Sequence, residues 1–64
     1  MIKEYRLKRG LTQEQLAEML DISTRHLQRI EVNINSTTLE MLIKIIQVLK
    51  IEDKDILKML KEKK

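Results

Sequence analysis

Two groups of residues in this 64-residue chain have types and spacing that could do chemistry. Thr24, Arg25, Gln28 and Arg29 share the outer side of one helix-period segment. Three of them are long, fork- or amide-tipped donors, suited to paired hydrogen bonds with planar acceptors. Asp21, Ser23, His26 and Asp55 include the residue types of nucleophilic catalysis. Neighbours on a helix surface, in a domain without room for a sizeable pocket, make a poor catalytic centre, and no enzyme activity is expected. His26 is the only histidine and cysteine is absent, which excludes a metal centre. Gly10 is the only glycine, which excludes a glycine-rich phosphate loop, and no cofactor or small-molecule ligand is expected.

Those residues must be positioned by short helices, because apolar residues recur at helical period and no run alternates with period two. Ile2 to Arg9 is predicted as a first helix, with Ile2 and Tyr5 on one face and Gly10 ending it. Thr12 and Gln15 form a capping box for a second helix, about 13–20, with Leu16, Ala17 and Leu20 inward. Ser23 can cap a third helix, about 24–31, with Leu27 and Ile30 inward. Between them Asp21 is expected in a left-handed conformation, at a cost of about 0.5–1 kcal/mol relative to glycine.

After a polar connection with two asparagines, Thr37-Thr38-Leu39-Glu40 is expected to be another capping box, opening a fourth helix to about Leu49. Only Glu40, Lys44 and Gln47 are polar in it, so it is expected to be central and wet along one narrow strip. Asp53 is expected to cap a fifth helix, about 54–62, with Ile56, Leu57 and Leu60 as its apolar side. The expected fold class is all-α: one compact domain, 1–64, of five helices.

A chain this small buries only about 60% of its unfolded surface and is marginal unless something is added. Disulfides and metal being excluded, helical packing and self-association remain. Ile34, Met41, Val48 and Met59 look surplus to one core, which suggests a homodimer through the fourth and fifth helices. The net charge of +3 sits in residues 54–64, which hold five lysines against Asp55 and Glu62; residues 1–53 are neutral overall. A basic helix end of this kind is ordinarily a solvated terminus favoured by the helix dipole, so bulk charge gives little argument for a nucleic-acid partner. The charged N-terminus lacks the apolar core of a signal peptide. The most apolar stretch, Leu39 to Leu49, spans about 16 Å of helix against about 30 Å of hydrocarbon. The expectation is a cytoplasmic protein with no membrane partner.

Residues 13–32, QEQLAEMLDISTRHLQRIEV, place two short helices across a three-residue turn, so they must cross steeply, with Ala17 where the backbones meet. This unit is compatible with a generic helical hairpin. From Ile2 to Leu57, however, the chain resembles the lambda-repressor-like, Cro-like helix-turn-helix domain of bacterial and phage regulators, also called the xenobiotic-response-element family. The resemblance is carried by Arg6, Gly10-Leu11-Thr12-Gln13, Gln15-Leu16-Ala17, Leu20, Ile22-Ser23, Leu27, Arg29-Ile30-Glu31 and Leu39-Glu40, in family order and without a gap.

The resemblance implies that helices two and three form the helix-turn-helix and that the third lies in the major groove of double-stranded DNA. Thr24, Arg25, Gln28 and Arg29 would then read base edges: Arg pairs bidentately with guanine and Gln with adenine. It implies phosphate contacts for Thr12, Gln13, Ser23, Asn33, Asn35 and Ser36, with Gln13 also bracing the third helix. It implies a buried structural ion pair of Arg6 with Glu31. It further implies a homodimer on a palindromic operator, acting in transcription regulation, as a repressor rather than an activator.

The chain departs from the family between Ile30 and Ile43, where there is no Lys or Arg. The family has Asn-Gly there, then basic residues and a proline; here Asn33 is expected to take the left-handed position of that glycine. The phosphate clamp on this side would be neutral, from Asn33, Asn35, Ser36 and the backbone N–H groups opening helix four. The neutral body and missing basic loop keep a second reading open, a protein-interaction module such as an antitoxin or anti-regulator.

Overall fold

The computed structural model describes residues 1–63; Lys64, the last lysine of the basic run, lies outside the described residues. Local hydrogen bonds decide where most helices begin. The first helix, α1, covers Ile2–Lys8, and Gly10 ends its turn at φ +70°. Nothing approaches the place where a Cβ on Gly10 would sit, so only the positive φ requires glycine there. The expected capping box forms: Thr12 Oγ1 accepts from the Gln15 N–H at 3.0 Å, and the Thr12 N–H donates to Gln15 Oε1 at 2.8 Å. It opens α2, Gln13–Leu20.

Asp21 then turns left-handed, at φ 57° and ψ 44°, and the Ile22 N–H reaches the Ala17 carbonyl at 3.0 Å. Ser23 Oγ accepts from the His26 N–H at 3.0 Å and opens α3, Thr24–Val32. Leu16, Leu20, Leu27 and Ile30 are fully buried between the two helices and their neighbours, and Ala17 fits the crossing.

Beyond α3 the chain makes one 3-10 turn, Ile34–Ser36, followed by α4, Leu39–Leu49, and α5, Asp53–Glu62. No strand forms among the described residues, and none of their helices is long and apolar enough to cross a membrane. The fold is all-α, with Leu42, Ile45 and Leu49 from α4 and Met59 from α5 completing the core.

The starts of α4 and α5 differ from those expected from the sequence. The cap of α4 is Thr38, whose Oγ1 accepts from the Met41 N–H at 3.1 Å, and the Thr37–Glu40 box does not form. The helix turns Leu42, Ile45 and Leu49, spaced i, i+3, i+7, inward. Thr37 is buried instead, and its hydroxyl has no partner among the described residues. Leu39 and Ile43 are about half exposed, so α4 is wetter than its composition suggests.

Asp53 is the first residue of α5 rather than its cap; Glu52 holds the cap position and makes no side-chain cap bond. Tyr5 anchors that end instead: its hydroxyl accepts from the Glu52 N–H at 3.3 Å and donates to the Asp55 carboxylate. The Lys63 ammonium donates to the Thr37 carbonyl at the other end of α5. These two anchors rotate the helix so that Met59, at 0% exposure, faces the core while Leu57 and Leu60 lie outside, at 57% and 43%. Met59 is therefore core, and Ile34, Met41 and Val48 pack partly buried against it. The exposed large apolar side chains are Leu39 and Ile43 on α4 and Leu57 and Leu60 on α5.

Candidate nucleic-acid interface

The pose of α3 is held by a chain of polar contacts that begins in α1. Arg6 Nε lies 2.7 Å from Glu31 Oε2, with the two side chains only 7% and 6% exposed. A second guanidinium nitrogen of Arg6 donates to the Leu11 carbonyl at 2.9 Å. The other oxygen of Glu31 accepts from Gln13 Nε2 at 3.0 Å, and Gln13 Oε1 accepts from Gln28 Nε2 at 3.3 Å. The network thus ties α1, the start of α2, and both the inner and outer sides of α3 into one body. Because Glu31 is served on both oxygens, two charges can stay buried; removing one partner would strand the other.

Helix ends elsewhere are closed by cations. Arg9 donates to the Leu49 carbonyl at 2.9 Å and to that of Lys50 at 3.3 Å, and Lys44 donates to the Leu20 carbonyl at 3.2 Å. Arg25 and Arg29 differ. Both are exposed, and neither side chain makes an ion pair or hydrogen bond among the described residues. Two guanidinium groups on one helix face, without partners of their own, present a positive, fork-shaped donor surface to solvent.

The outer residues come together as the helical period requires. Arg25, Gln28 and Arg29 line an open depression of about 350 Å³, completed by Val32, Asn33 and Ser36. Thr24 is half-buried at the start of α3. Thr12 and Ser23 use their hydroxyl oxygens as cap acceptors, which leaves each O–H hydrogen as a donor at a helix start. Gln13, beside Thr12, is joined to the outer face of α3 through Gln28. His26 is half-buried, and no group of three or more His, Cys, Asp or Glu residues able to hold a metal occurs among the described residues.

Asn33 departs from expectation. Its backbone is extended, at φ −147° and ψ 111°, and not left-handed. Its Oδ1 accepts from the Asn35 N–H at 3.0 Å, and its carbonyl accepts from the Ser36 N–H at 2.9 Å. Capping the 3-10 turn replaces the glycine-type stop, so these two backbone donors are consumed inside the turn. Asn33 and Ser36 still border the depression; Asn35 is exposed on the same turn.

The expected third helix, about 24–31, stops short of Val32 and so leaves it off the outer face. Helix α3 runs on through Val32, seven positions after Arg25, and so carries it onto the same outer line. The i, i+3, i+4, i+7 spacing of 25, 28, 29 and 32 was the available signal.

A family model described as helix-turn-helix matches residues 2–56. Comparison with curated proteins and with solved structures gives no match. The matched span contains α2, the left-handed turn at Asp21 and α3 in full, so the chain belongs to the helix-turn-helix family of lambda-repressor-like, xenobiotic-response-element type, a family of DNA-binding domains.

Proposed function

We propose that this protein is a small transcriptional regulator that binds double-stranded DNA sequence-specifically with α3 in the major groove, as a homodimer on a palindromic operator. The observation that carries this reading is the pair of unpartnered guanidinium groups of Arg25 and Arg29 beside Gln28, on the outward face of a helix whose pose is locked from within. Arg pairs with the O6 and N7 of guanine, Gln with the N6 and N7 of adenine, and a helix fits a groove about 12 Å wide. Thr24, in the first turn, joins the base-reading set, while Thr12, Gln13, Ser23, Asn33, Asn35 and Ser36 flank it as phosphate contacts. The longest extent of the protomer is 27 Å, less than the roughly 34 Å of one DNA turn, so each protomer addresses a single half-site. In this reading the protein works in the cytoplasm and represses by occupancy, which needs no second active surface.

Selection of bound duplexes from a random pool tests the proposal, followed by gel shift of the selected duplex. The expected result is a two-fold-symmetric site, with binding weakened about tenfold or more by Arg25→Ala plus Arg29→Ala. Equal shifts for the wild type and the double variant would count against the assignment.

A protein-interaction module, such as an antitoxin or anti-regulator, is the second reading. The absence of Lys and Arg between Ile30 and Ile43 favours it, since that loop offers no charged phosphate clamp. Failure to recover any preferred duplex, together with tight binding of a protein partner, would establish it instead.

A further inference from the structure

Val32 is 88% exposed, the most exposed of the large apolar side chains described. It lies one heptad after Arg25, at the C-terminal end of α3, and borders the same open depression as Arg25, Gln28 and Arg29. Isolated apolar residues on a surface ordinarily need no explanation. Here the isolation is local and placed: a branched pair of methyls interrupts a line of fork and amide donors, on the face proposed to enter the groove.

We infer that Val32 forms an apolar subsite for the C5 methyl group of a thymine, a specificity element added to the polar readers of α3. This inference rests on the DNA-reading function proposed above. Among the groups that base edges display in the major groove, the thymine methyl is the apolar one, and aliphatic side chains recognise it by contact. Seven helical residues separate Arg25 from Val32, a rise of about 10.5 Å. With base pairs about 3.4 Å apart along the duplex axis, and the helix inclined with the groove, the Val32 contact falls about two to three base pairs from the Arg25 contact. Arg25 and Val32 together then specify a guanine and a thymine at fixed separation in each half-site.

The test uses the full chain and an operator recovered from a random pool. Each thymine is replaced singly by deoxyuridine, which deletes the methyl and leaves every hydrogen-bonding edge intact. For the wild type, one replacement per half-site should weaken binding about three- to fivefold, as expected for burial of one methyl. Val32→Ala should bind the unmodified operator weaker by a similar factor and be indifferent to that same replacement, while its response to the others is unchanged. Alanine is the better helix former at this exposed position, so the variant should fold, with circular dichroism as the check. Identical deoxyuridine profiles for wild type and Val32→Ala, or undiminished binding by Val32→Ala, would overturn the inference while leaving DNA reading intact. Recovery of no preferred sequence would remove both.

Discussion

Both carboxylate oxygens of Glu31 are occupied, one by Arg6 and one by Gln13, and this residue links the core to the outer face of α3 through Gln28. Glu31→Gln would leave the Arg6 guanidinium buried without its counter-charge, and a loss of about 3–5 kcal/mol is expected in urea denaturation. Two other residues sit in conformations that their side chains resist: Asp21 at φ 57° and Lys50 at φ 53°. Replacing either by glycine should stabilise the fold by about 0.5–1 kcal/mol, with Lys50→Gly the larger because Asp tolerates the left-handed region better. Tyr5 gives a pH signature. Donation to Asp55 raises its hydroxyl pKa above the ordinary value of 10.0, the neighbouring carboxylate disfavouring a phenolate. A raised folded-state pKa contributes stability that is complete below pH 10 and is lost as pH climbs through the folded value. Denaturation midpoints should therefore fall above about pH 10 in the wild type and stay flatter in Tyr5→Phe, which lacks the titrating group.

At the level of elements, what was legible in the sequence follows the range of the forces involved. The starts of α2 and α3 are set by Thr12 and Ser23 acting on amides three residues away, and such signals can be read directly from a sequence. Adjacent hydroxyls at Thr37 and Thr38 offer two equivalent starts for α4, and core packing chooses the second. The start of α5 depends on Tyr5, 47 residues from Glu52, and its rotation on Asp55 and Lys63 bonding to distant partners. No local pattern carries that information: the sequence marks Ile56, Leu57 and Leu60 as the apolar side and Met59 as surplus, whereas Met59 is the fully buried residue. The outward placement of Arg25, Gln28 and Arg29 was legible because period alone sets it. Val32 and Asn33 were not, because the helix continues one residue further and stops through a 3-10 turn. The corrected rotation also relocates the proposed dimer surface to Leu39, Ile43, Leu57 and Leu60. Leu57→Glu plus Leu60→Glu should shift sedimentation toward the monomer without unfolding the protomer, since both side chains are largely exposed. A wild type that stays monomeric at high concentration and on DNA would contradict the dimer.

For the molecule as a whole, charge placement matters more than the total of +3. Arg6, Arg9 and Lys44 are committed to the protein's own carboxylate and carbonyl groups, which leaves few cations near α3 besides Arg25 and Arg29. With two or three cations per protomer brought against the duplex, Arg25 and Arg29 among them, binding by a dimer should weaken with a log K against log salt slope of about −4 to −5, whereas a slope near −10 would indicate a further basic surface. In the proposed function DNA meets the outer side of α3, and titrating the labelled full chain with a selected duplex while following backbone amide shifts is the decisive measurement. The largest changes are expected over Thr24–Val32 and at Thr12 and Gln13; changes concentrated on α4 and α5, with α3 undisturbed, would contradict DNA reading by α3.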